Sequence, residues 1–200
     1  MLTGNIQNPA LRRAVTWVAA LNLAYFAVEF GVARHIGSVS LFADSIDFLE
    51  DASVNGLILL ALRWSQQHRG TVGILLSAVL LVPGFATAWM AWQKFTLPIA
   101  PSAVPLTLTG LGALSVNFSC AAILTRVRHA GGSLSRAAFL SARNDVLANL
   151  GIIAVGALTL LWPSAWPDLV VGLAIFALNI AAAREVYAIA CREREPGNPV

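Results

Sequence analysis

Leu41-Phe-Ala-Asp44-Ser-Ile-Asp47-Phe-Leu-Glu50-Asp51-Ala-Ser-Val-Asn55-Gly-Leu-Ile-Leu-Leu-Ala-Leu62 is the stretch that decides the reading of this chain. As a helix rising about 1.5 Å per residue, it is long enough to cross the ~30 Å hydrocarbon core of a bilayer. Four acids interrupt its apolar run. A charge at the bilayer centre costs about 2.5–3.5 kcal/mol on insertion scales, so four facing lipid would cost on the order of 10 kcal/mol. These side chains must face protein, water or a cation, or carry protons. At about 100° per residue, Asp47 and Asp51 share one helix face. Asp44 and Asn55 extend that stripe, and Glu50 lies to one side.

The rest of the chain supports a membrane setting. Of its 200 residues, 58% are hydrophobic and only 12% charged, with a mean hydropathy of +0.73. A soluble domain carries about twice that share of charge, and a disordered chain has far less apolar content. Apolar stretches of spanning length recur at Ala14–Ala33, Leu41–Leu62, Thr71–Trp92, Val104–Leu124, Ala137–Leu160 and Asp168–Tyr187. Lipid leaves no partner for an open backbone, so these are helices, and the short alternating segments of a barrel are absent. The expected fold class is an all-α integral membrane protein, a six-transmembrane-helix bundle. It comprises a cytoplasmic N-terminus over residues 1–13, a membrane domain over 14–187 and a short cytoplasmic tail over 188–200.

Orientation follows from the basic residues. With both termini inside, ten of the 13 Lys and Arg residues fall on the cytoplasmic side, among them Arg12, Arg13, Arg63, Arg69, Arg126 and Arg128. Arg34 and Lys94 fall outside, and Arg143 lies within a span. This asymmetry satisfies the positive-inside rule, so the basic pI of 9.4 marks loops and not nucleic-acid binding. Trp17 and Trp64 sit near the inner interface, and Trp89, Trp92, Trp162 and Trp166 near the outer one, as an aromatic belt requires. Cys120 and Cys191 have no metal-type spacing and no reason to pair.

The fifth span repeats the device of the second. Ser141, Asp145 and Asn149 are four apart, and Asp145-x-x-x-Asn149 echoes Asp51-x-x-x-Asn55 on a helix of opposite direction. Such an echo predicts an inverted three-helix repeat with a site at the midplane. Asp47 and Asp51, one turn apart, can hold a divalent cation, and Asp145 closes the shell from another helix. The same oxygens can carry protons once the ion leaves. Ser141 is a further oxygen ligand, and Asp44, Glu29, Glu50, Asn55 and Asn149 stand as a second layer or a proton path. His35, His68 and His129 fall in loops, so an all-oxygen shell leans toward Mn²⁺ or Mg²⁺. Plainer readings attach to other polar residues. Glu50 can pair with Arg143, Asn22, Asn117 and Asn179 can join helices, and Asp168 after Pro167 reads as a helix N-cap.

These residues resemble the cation diffusion facilitator family. Ser38-Val-Ser-Leu41, Asp44 and Asp47-x-x-x-Asp51 are similar to the family's second-span pattern. Ser141-x-x-x-Asp145 is similar to its His-x-x-x-Asp segment, and Asn22 and Glu29 agree with its first span. The resemblance implies efflux of a divalent cation (Zn²⁺, Co²⁺, Cd²⁺ or Mn²⁺) against protons, with Asp47, Asp51 and Asp145 as ligands. Ser141 stands where a histidine is usual, which weakens the preference for Zn²⁺. The resemblance also implies a short form without the cytoplasmic metal-binding domain, a homodimer formed through membrane helices, no resident cofactor, and residence in a bacterial inner membrane.

Two other classes compete. Intramembrane phosphotransferases need Asp-Gly-x-x-Ala-Arg and intramembrane aspartyl proteases need Gly-x-Gly-Asp, and neither string occurs. A non-transporting membrane subunit would tolerate neutral residues at the aspartates.

Overall fold

The computed structural model describes residues 9–61, 85–127 and 132–194. Among them are six helices and no strand. The helices are α1 (Pro9–Ile36), α2 (Val39–Ala61), α3 (85–96), α4 (Ala103–Val127), α5 (Gly132–Leu161) and α6 (Trp166–Arg194). Five of the expected spans, the first, second, fourth, fifth and sixth, fall inside these helices to within a few residues. The clearest departure is α6, which continues past Tyr187 to Arg194, so the expected tail begins as helix; likewise α1 starts at Pro9, within the expected N-terminal segment. An apolar window marks only the part of a helix that lipid covers, and nothing obliges the helix to stop there. Residues 71–84 of the expected third span lie outside the described residues.

The bundle is apolar outside and polar within. Leu23, Leu108, Phe118, Leu150 and Leu178 are exposed, whereas Asn22, Glu29, Asp44 and Asn149 are fully buried. That inversion suits a protein whose solvent is lipid. Arg12–Ile36 and Ala103–Arg126 are each long and apolar enough to cross a membrane. Trp17, Trp89, Trp92, Trp162 and Trp166 are all more than half exposed, as an interfacial belt needs.

α2 is the central helix, packed against α1, α6, α5 and α4. The most extensive pairs are α1 with α2 and α4 with α5. A large apolar cluster that includes Leu41, Phe42, Ile46, Leu106, Ile152 and Leu169 fills the end of the bundle that carries the α1–α2 turn. A smaller cluster of Val18, Cys120 and Leu124 lies toward the other end. The acids of α1 and α2 lie between the two.

The α1–α2 turn is short and fully satisfied. Gly37 takes a left-handed φ of 64°, which lets Ser38 N donate to Ala33 O at 3.1 Å. This six-to-one bond closes α1 in a Schellman motif. Ser38 then caps α2, its Oγ accepting from Leu41 N at 3.2 Å.

A second cap comes from another helix. Asp168, in the first turn of α6, does not cap its own helix as expected, but reaches across to α2. Its Oδ1 accepts from Ser38 Oγ (2.7 Å), Ser40 Oγ (2.6 Å) and Ser40 N (3.1 Å). Its Oδ2 accepts from Val39 N (2.9 Å) and Lys94 Nζ (2.7 Å). Lys94, expected at the outer interface, is only 6% exposed and also donates to Gly37 O at 2.6 Å. The reason is proximity: α6 starts beside the free N–H groups of α2, a natural anion site, and the resulting buried carboxylate needs a cation.

Gly172, one turn further along α6, makes that approach possible. A Cβ there would lie 2.8 Å from both Ser40 N and the Val39 carbonyl carbon. Backbone cannot turn aside as a side chain can, so overpacking here should cost about 1–3 kcal/mol. Gly172→Ala is therefore expected to lower the thermal midpoint of the purified protein. Gly151→Ala, whose Cβ would meet only Val171 at an ordinary 3.6 Å, should leave it unchanged.

Candidate functional site

Two of the expected site residues form a close pair. Glu29 of α1 and Asp44 of α2 are fully buried and close enough for the charge of one to bear on the other. Among the described residues, none of the four oxygens meets an N–H or O–H donor. Carboxylates so close and so dry need a proton or a cation between them. The side chains of Arg143 and Ser141 lie outside the described residues.

Asp47, Asp51 and Asp145 are less deeply enclosed, each half-buried. The charges of Asp145, Asp44, Glu50 and Asp51 all bear on Asp47, and those of Asp51, Asp44 and Glu50 bear on Asp145. Acids from α2 and α5 thus share one electrostatic neighbourhood, next to Glu29 from α1. Among the described residues, no three His, Cys, Asp or Glu groups stand close enough to form a ready metal shell. The carboxylates are gathered, but not at coordination distance.

The echo between the second and fifth spans has a structural counterpart. Asn55 Nδ2 donates to Asp51 O at 2.8 Å, and Asn149 Nδ2 donates to Asp145 O at the same 2.8 Å. In both, the amide bonds back one turn to the carbonyl of the motif aspartate. In both, the buried Oδ1 is left without a partner. An amide held this way has a fixed orientation, so each helix presents an aspartate carboxylate and, one turn on, an anchored oxygen acceptor.

Asn22 joins three helices at the site. Its Nδ2 donates to Asp51 Oδ2 at a long 3.5 Å, and its Oδ1 accepts from Cys120 Sγ at 3.6 Å. Asn179 also joins helices, donating to Ala43 O at 3.1 Å. Glu50 is buried beside the group. His35 lies in the last turn of α1, not in a loop, and His68 and His129 lie outside the described residues. Reasoning from the sequence missed the partnership of Asp168 with Lys94, Ser38 and Ser40. The available signal was two opposite charges expected on the same side of the membrane.

Acids from three apolar helices, enclosed in a bundle with a lipid-facing exterior, define a membrane protein built around intramembrane carboxylates. Residues 15–191 match the profile of the cation efflux transmembrane domain, and the chain belongs to that family. It is accordingly an integral membrane protein of a cation transporter family, and that family is not one of enzymes. A search of curated proteins found no match.

The unpaired Glu29 and Asp44 make a test of role against stability. Asp44→Asn gives Glu29 a donor and removes one buried charge. It is expected to raise the thermal midpoint, by on the order of 1 kcal/mol in stability, while impairing transport. A clear fall in the midpoint would mark the pair as structural.

Proposed function

We propose that the chain exports a divalent cation from the cytoplasm in exchange for protons, by alternating access to a site formed by Asp47, Asp51 and Asp145. The observation that carries this reading is the gathering of these half-buried carboxylates beside Glu29 and Asp44, whose oxygens have no donor. Buried acids whose oxygens find no donor among the described residues, as in Glu29 and Asp44, call for a proton or a cation. A divalent ion and a pair of protons are equivalent in that respect, and this is the basis of exchange.

The scheme takes the chain as six membrane crossings related as an inverted three-helix repeat. The matching 2.8 Å bonds of Asn55 and Asn149 are what two halves of opposite direction would share. Packing agrees, since exchanging the halves maps the extensive α1–α2 pair onto α4–α5. The excess of Lys and Arg on the side of the termini supports termini that face the cytoplasm, and the proposed residence is a bacterial inner membrane. A homodimer would then form through the lipid-facing helix surfaces.

Asp47→Ala, Asp51→Ala and Asp145→Ala should each reduce metal flux into vesicles at least about a hundredfold while the protein still inserts, since each removes one ligand from a small shell. The flux should collapse with the pH gradient, and metal binding should release protons. Wild-type flux in any two of these variants would overturn the site.

Ion choice turns on Ser141. Imidazole suits Zn²⁺, Co²⁺ and Ni²⁺, whereas an all-oxygen set narrows the advantage of Zn²⁺ over Mn²⁺ without reversing the affinity order. The expected behaviour is broad transport that includes Zn²⁺. Ser141→His should raise the Zn²⁺/Mn²⁺ flux ratio. A flat ratio with both ions still carried would mean that Ser141 does not reach the site.

A further inference from the structure

We propose that Asp168 and Lys94 form the outer gate of the ion route, a polar clasp that must part for the site to open away from the cytoplasm. This inference rests on the transport reading above.

Burial along α2 is the first observation. Residues 38–46 are buried without interruption, whereas burial is only intermittent from Asp47 onward. The carboxylates are therefore sealed at the α1–α2 turn end and less enclosed toward the other. Under the proposed orientation, the sealed end is the outer one. Ser40 precedes Asp47 by seven residues, so the clasp lies roughly 10 Å outward of the site along the helix.

The second observation is what holds that end. Every bond to the Asp168 carboxylate comes from another element: four from the start of α2 and one from Lys94 of α3. Lys94 in turn grips the α1–α2 turn through Gly37 O. Phe95 packs edge-on against Trp166 at 5.9 Å, next in sequence to Lys94 and two residues before Asp168, so aromatic rings flank the joint. Parting α2 from α3 and α6 would break the four bonds from the start of α2 to Asp168 and the bond from Lys94 to Gly37 O, and no hydrogen bond within a helix, while the Lys94–Asp168 pair and the Phe95–Trp166 contact hold α3 and α6 together.

The chemistry suits a reversible seal. A purely apolar plug is penalised when water enters an open vestibule. A carboxylate, an ammonium, two hydroxyls and two N–H groups are satisfied by each other when dry and by water when wet. The clasp can therefore hold one end shut without making its opening prohibitive, as alternating access demands.

The test reads access, not flux. In a Cys120→Ser/Cys191→Ser background, Ala43→Cys places a thiol at a fully buried position next to Asp44. A membrane-impermeant maleimide is added outside whole cells without metal. Labelling should be slow with the clasp intact and at least about tenfold faster with Asp168→Asn or Lys94→Met, as the equilibrium shifts outward. Lys94→Met leaves the bonds from Asp168 to α2 available, so it keeps the test open if Asp168→Asn does not fold. Unchanged labelling in the folded variants, or faster labelling that accompanies loss of a cooperative melt, would overturn the gate. Because labelling needs no transported ion, failure of metal flux in the wild type would count against the transport reading and leave this result to stand alone.

Discussion

A carboxylate removed from water must find positive charge or hydrogen-bond donors, and this protein meets that requirement in two opposite ways. Asp168 accepts five hydrogen bonds, one of them from the Lys94 ammonium, from two other parts of the chain. Glu29 and Asp44, equally buried, receive none. Removing one partner of a buried ion pair typically costs 3–5 kcal/mol, so Asp168 fastens the fold. Two acids without donors stabilise nothing by themselves. Their presence at the heart of the bundle is a standing demand for a cation or a proton, in keeping with a cation efflux domain.

The tether sets the position of the demand. α2 is capped by Ser38 from its own chain segment and by Asp168 from α6, so its start is held in depth and rotation. Helical periodicity then carries that constraint down to Asp44, Asp47 and Asp51. Gly37 and Gly172 serve the same end: one turns the chain tightly enough, and the other lets α6 come close enough. Placement of the acid-bearing stretch of α2 is thus decided at the start of the helix, outside that stretch.

The two halves are alike in the motif and unlike around it. Asp51 with Asn55 and Asp145 with Asn149 use the same back-bonded amide. Only α2 adds further acids, and only α6 supplies the cap. A strict repeat would make both ends of the route equivalent. The added polar clasp on one end distinguishes them, as a transporter with a preferred resting state requires.

Much of this was legible in the sequence because lipid penalises charge so heavily. The helical class, the positions of five helices and the buried character of Glu29 and Asp44 followed from hydropathy and from acids in apolar runs. Four-residue spacing announced the echo of Asp51–Asn55 in Asp145–Asn149. Helix ends were less legible, since α6 runs on to Arg194 beyond the window that lipid defines. The sequence by itself determined that acids would be enclosed within a membrane bundle, because periodicity and transfer energy are local properties of a segment. Only the tertiary structure decided which acids find donors: Asp168 lies 128 residues from Ser40 and 74 from Lys94, and no local pattern encodes a meeting made by the packing of three helices.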